Sequence, residues 1–191
     1  TYSFHEILND GAGHADEIIR DMKAVGAWDC ELFGGPMTPG VFTGKLPDPK
    51  LCADPYKGCE PGKGGTLRNP WAWVFTRQTG DDLKAARERQ RKFLTETPDK
   101  YYLEFRARFD RAGINIHSYN PYVQPAGGDP IRGAGLSPEE IDGLFRSCNA
   151  LRVRYLNLST TQNTIRQLAP YAEKYKVMLC PHGHSITWDR Q

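Results

Sequence analysis

The chain has 191 residues, with 25 Lys and Arg against 23 Asp and Glu for a net charge of +2, and 39% of its residues are hydrophobic. That is apolar material for one packed domain, or part of a larger one, and it excludes a disordered chain. Balanced charge argues against nucleic-acid binding, which needs a concentrated basic face. No apolar run approaches the roughly 20 residues of a membrane span, and no targeting leader is read at Thr1, so a soluble protein without nucleic-acid or membrane partners is expected.

In chain order, Ala15, Ile18, Ile19, Met22 and Val25 recur at helical spacing, with Gly26 as a stop. Trp28 to Phe33 reads as a short strand. Residues 34–70 hold seven of the fourteen prolines and eight of the nineteen glycines. Such a composition forbids long regular elements and marks a functional loop or insertion over about 34–80. Asp81 to Leu94 is charged and Ala-rich, a solvated helix. The next helix is expected from Thr97, with Pro98 at its first position, where the missing N–H costs nothing. Tyr101, Tyr102, Phe105 and Phe109 form its apolar stripe, and Gly113 fits a left-handed stop.

Strand Ile114 to Tyr119 follows. After a Gly/Pro loop, Ser137 and Glu140 form a capping box for a helix that buries Ile141, Leu144, Phe145, Cys148 and Leu151. Tyr155 to Ser159 is the next strand. Ile165, Leu168, Ala169 and Ala172 mark a helix ending near Lys176, and Val177 to Cys180 is a last strand running into His182 and His184. Regular alternation of strand and helix predicts an α/β fold with parallel strands, either a doubly wound sheet or a (β/α)8 barrel. No GxGxxG joins a strand to a helix and no phosphate-loop sequence occurs, which tilts the choice towards the barrel.

Five cysteines are too few for a disulfide scaffold. Cys30, Cys148 and Cys180 lie in apolar stretches and read as small buried hydrophobes. Cys52 and Cys59 flank a Pro-containing loop, either as a local disulfide, which would imply an oxidising compartment such as a periplasm, or as two free thiols.

Catalytic groups of parallel α/β folds gather at the carboxyl ends of strands. The polar residues there are Tyr2, Ser3 and His5; then Glu31; then His117, Tyr119 and Asn120; then Asn157, Ser159 and Thr160; and finally His182 and His184. Alternation along a strand puts His182 and His184 on one face with Cys180, and puts Asn115, His117 and Tyr119 together, opposite Ile114 and Ile116. Two histidines at i, i+2 with a carboxylate such as Glu31 suit a divalent transition metal; the plain alternative is hydrogen bonding at a strand end. Trp71 and Trp73 either stack on a sugar or pin a loop.

Several motifs then converge. Thr1-Tyr-Ser-Phe4, Cys30-Glu-Leu-Phe33, the run from Phe109 to Asn120, the run from Leu168 to Lys176, and His182-Gly-His184 resemble the sugar phosphate isomerase/epimerase family, the xylose-isomerase-like TIM barrels. The resemblance runs in order across the chain apart from the Gly/Pro-rich loop. It implies a (β/α)8 barrel holding a divalent metal (Mn, Zn, Co or Mg), a small carbohydrate substrate, and chemistry that moves a proton next to a sugar carbonyl. His182 stands where many members carry a metal-binding glutamate. Glu31, His117 and His184 are the candidates for proton transfer, and Asn120, Tyr119, Trp71 and Trp73 those for substrate contact.

The same resemblance implies a single barrel domain of which roughly the first five βα units are present, with an Asp, a His and a Glu still to come from later strands or a second polypeptide. The expected activity is a metal-dependent sugar isomerase or epimerase. Cleavage of 3-keto-glycosides by β-elimination, or sugar binding without turnover, are the alternatives. Compartment, cytoplasmic or periplasmic, and homo-oligomer formation stay open.

Overall fold

The computed structural model describes residues 15–33, 88, 91–121, 135–158 and 162–181. The long loop with Trp71 and Trp73, the Cys52/Cys59 pair, the first expected strand, and His182 and His184 lie outside the described residues.

Among the described residues, four helices and four strands alternate: α1 (Ala15–Ala24), β1 (Asp29–Phe33), α2 (Asp99–Arg111), β2 (Asn115–Asn120), α3 (Pro138–Ala150), β3 (Tyr155–Leu158), α4 (Gln162–Tyr175) and β4 (Met178–Pro181). Residues 91–96 are also helical. The strands are parallel and pair in the order β1-β2-β3-β4. An α/β fold with a parallel sheet is therefore what the chain forms. When each strand pairs with its successor in one direction, right-handed crossovers put every connecting helix on the same face.

Side-chain contacts agree with such a layer. Arg108 of α2 grips Asp16 of α1 through two nitrogens, at 2.8 and 3.1 Å. Arg146 of α3 donates to the Thr97 carbonyl ahead of α2 at 2.9 Å. Lys174 and Tyr175 of α4 both donate to the Asp142 carboxylate on α3, at 2.6 and 2.8 Å.

One turn design closes all four helices. Gly26, Gly113, Arg152 and Lys176 take the left-handed conformation. The next residue in each case, Ala27, Ile114, Val153 or Val177, donates its N–H to the carbonyl five residues back. This is the Schellman motif, with its apolar residue tucked beneath the helix end: Ile114, Val153 and Val177 are all buried. A left-handed backbone suits glycine; at Arg152 and Lys176 an L side chain bears strain of about 1 kcal/mol or more. Four helix-to-strand turns are thus one structural repeat, written in different residues each time.

The capping box at α3 forms as expected: the Glu140 N–H donates to Ser137 Oγ, and the Ser137 N–H donates to the Glu140 carboxylate. Two expectations shift. Pro98 is the residue before α2 rather than its first residue, since its ψ of 151° is extended. Val25 lies past the end of α1 and is 72% exposed, so the apolar stripe of that helix ends at Met22.

Between sheet and helices lies the core, with Leu32, Tyr119 and Leu156 from the strands facing Ile18, Phe109 and Leu144 from the helices, all nearly inaccessible. The turn at 91–96 is clamped into this layer. Phe93 meets Tyr101 and Tyr102 edge to face, at 6.0 and 5.8 Å between ring centres. Gly143 of α3 lies so close to the Leu94 carbonyl that a Cβ would come within 2.0 Å of its oxygen. Only glycine permits that approach. Gly143→Ala should therefore cost about 1–3 kcal/mol, read as a lower urea midpoint at unchanged slope.

Burial also sets a pH dependence. Desolvation pushes the Cys30 thiol up to about 11 from an ordinary 9.0, and raises Cys148, Tyr102 and Tyr119 as well. These groups keep their protons in the fold to higher pH than in the unfolded chain, so their contribution is intact below about pH 9 and is lost as pH rises further. Urea midpoints should be flat from pH 7 to 8.5 and fall between pH 9 and 11.

Candidate functional site

The register between β1 and β2 carries an irregularity that decides which side chains meet. Cys30 stands opposite Ile116, but Glu31 stands opposite Ser118, so His117 is an extra residue on β2. This is a β-bulge, two residues against one, and it breaks the alternation of faces. Beyond it the rows are Leu32, Tyr119, Leu156 and Leu179 on one face, and Glu31, Ser118, Tyr155 and Met178 on the other, with Asn157 opposite Cys180.

The first row faces the helices. Tyr119 is buried there, near Tyr101 and Tyr102 of α2 and Cys148 of α3, and desolvation holds its phenol well above the ordinary range. The second row lies on the other face, which is helix-free among the described residues and where Tyr155 and Met178 are 43% and 61% exposed.

That face carries the polar groups. The Asn157 side-chain N–H donates to the Glu31 carboxylate, and a longer contact of 3.5 Å runs from the same amide to Ser118 Oγ. Ser118 is buried while Glu31 and Asn157 are half-buried. Asn120, two residues beyond Ser118 and opposite Phe33, follows on this face. Cys180 is half-buried; partial burial first, and the Glu31 charge second, raise its thiol above the ordinary value. Beneath the site, Arg106 of α2 donates to the carbonyls of Ile116 and Leu151, at 2.9 and 3.2 Å, and pins the start of β2 to the end of α3.

Of the residues singled out in the sequence, the structure brings Glu31 and Asn120 to the helix-free face. It puts Tyr119, expected among the substrate contacts, on the helix side, away from the face that alternation gave it with Asn115 and His117. The cause is the bulge: alternation counted from Ile114 runs true only as far as Ile116. His117 is exposed and is the bulge residue itself. Cys180 is also less buried than its apolar surroundings suggest, because β4 turns it away from the helices. The fold adds Ser118, which the uninterrupted count put with the apolar set, and it pairs Asn157 with Glu31. An unpaired residue in the middle of a strand leaves no mark in composition, so the sequence held no signal for Ser118.

A half-buried carboxylate facing an amide and a hydroxyl can accept a proton and hydrogen-bond neutral hydroxyl groups. Among the described residues no three metal-ligating side chains converge. Among them, Glu31 and Cys180 alone do not make a cation cage. Among the described residues no helix is long and apolar enough to cross a membrane. No family model matches the chain, and no curated protein and no solved structure matches it.

The bulge is directly testable. His117→Ala keeps the extra residue and, at an exposed position, should change stability by no more than about 0.5 kcal/mol. Deleting His117 should flip Ser118 and the residues after it to the wrong faces and cost several times that, measured by chemical unfolding.

Proposed function

We propose that the chain belongs to a sugar isomerase or epimerase with a (β/α)8 barrel fold, in which Glu31 takes a proton from the carbon next to a carbohydrate carbonyl. The observation that carries the reading is the Glu31–Asn157 contact across the helix-free face. Glu31 and Asn157 come from β1 and β3, and inside a parallel barrel the side chains of one layer come from alternate strands in this way. Among the described residues, sequential strand order and a single helix layer support the same reading, because a doubly wound sheet reverses its order and has helices on both faces.

In the proposed step the C–H bond breaks, its proton passes to a Glu31 oxygen, and the electron pair becomes an enediolate. Returning the proton to the neighbouring carbon isomerises the sugar; returning it to the opposite side of the same carbon epimerises it. Loss of a β-substituent instead would give elimination. Asn120 lies beyond Ser118 on the same face, and in this reading it binds a hydroxyl group of the sugar. The metal requirement rests on the sequence alone, through His182, with His184 two residues further on.

Incubation of the full chain with common aldoses and ketoses in D2O should incorporate deuterium at the carbon next to the carbonyl. Glu31→Gln should slow the exchange by about 100-fold or more. Chelator should stop it if a metal takes part. Sugar binding without any exchange would overturn the enzyme reading and leave a carbohydrate-binding protein.

A further inference from the structure

We infer that Asn157 is a positioning residue that holds the Glu31 carboxylate over β2; its catalytic consequence rests on the reading of Glu31 as the base. Glu31 is on β1 and Asn157 on β3, so two inter-strand spacings, roughly 10 Å, separate their backbones. A hydrogen bond over that span requires both side chains to lean across β2 towards each other. Ser118, small and only 2% exposed, occupies the strand beneath them. The bulge at His117 is what puts a serine there.

Both N–H groups of the Asn157 amide have an oxygen to face, Glu31 on one side and Ser118 Oγ on the other. That fixes the sense of the amide, with nitrogen towards the carboxylate and Oδ1 away from it. The reversed amide would set a carbonyl oxygen against a carboxylate. A glutamate side chain has three rotatable bonds, and a charge-assisted hydrogen bond is strong enough to select among its rotamers. Position matters for a base, which must come within about 3 Å of the proton it removes. Asn157 thereby fixes where the carboxylate sits without itself taking the proton.

A double-mutant cycle on the full chain decides this, with Glu31→Ala, Asn157→Ala and the pair. Asn157→Ala should lower the thermal midpoint by about 2–4 °C when Glu31 is present and by clearly less when it is absent. Equal losses in both backgrounds would overturn the assignment. Deuterium exchange on the fastest-exchanging sugar supplies the kinetic arm. Asn157→Ala, and Asn157→Asp, which keeps the volume but removes the donor, should lower kcat by about 100-fold with KM little changed. Adding Asn157→Ala to Glu31→Ala should cost no further rate. A change confined to KM, or full additivity, would contradict a role exerted through Glu31. Should the parent protein exchange no sugar, the base reading fails, while the thermal cycle still decides whether Asn157 holds Glu31.

Discussion

Everything in this structure follows from burying one side of a parallel sheet. Among the described residues each strand pairs with the next, the connecting helices lie on one side, and the apolar row of Leu32, Tyr119, Leu156 and Leu179 packs against those helices. Polar side chains are costly in that layer, so Glu31, Ser118 and Asn157 belong to the other one. The bulge at His117 reconciles β2 with this constraint. Without it, the strand that turns Ile114 and Ile116 to the helices would turn Ser118 to them as well and Tyr119 away, and the largest ring of the sheet would leave the helix side.

Most of the architecture was legible in the residues. Helical periodicity marked Ile18 and Met22, the stripe from Tyr102 to Phe109, and the set from Ile141 to Cys148, all of which are buried. Ser137 and Glu140 announced the start of α3 because capping depends on local chemistry alone. Gly26 and Gly113 announced two helix ends for the same reason. The equivalent ends at Arg152 and Lys176 were hidden, since no residue type signals a left-handed turn that arginine or lysine is made to adopt. Tertiary packing imposes it there.

The site was less legible than the fold. Glu31 was found because it is a polar residue towards the carboxyl end of a strand, where catalytic groups of parallel α/β folds gather. Its relation to Asn157 depends on two strands far apart in sequence and on how they lean over a third, which periodicity does not encode. Tyr119 misled for a related reason: it is a polar-tipped residue at a strand end, yet a one-residue slip in pairing places its ring among Tyr101, Tyr102 and Cys148. Such slips are set by the neighbouring strand. Bulges also re-aim side chains, and here simple alternation fails where the polar face of the sheet begins.

The helix-free face and the helix side make opposite demands on a polyol, which needs hydrogen-bond partners beside a surface it can reach. On the helix side there is a groove of about 450 Å³ lined by Thr95, Glu139, Asp142, Arg146 and Tyr171, among others. Its Arg146 and Asp142 are already engaged with Thr97, Lys174 and Tyr175. Titrating the 15N-labelled full chain with xylitol, a polyol without a carbonyl, separates the two surfaces most directly. Shifts of the Asn157 side-chain amide, with Arg146 and Tyr171 unmoved, are the result this account predicts. Shifts confined to the groove between α3 and α4, with Asn157 silent, would contradict it.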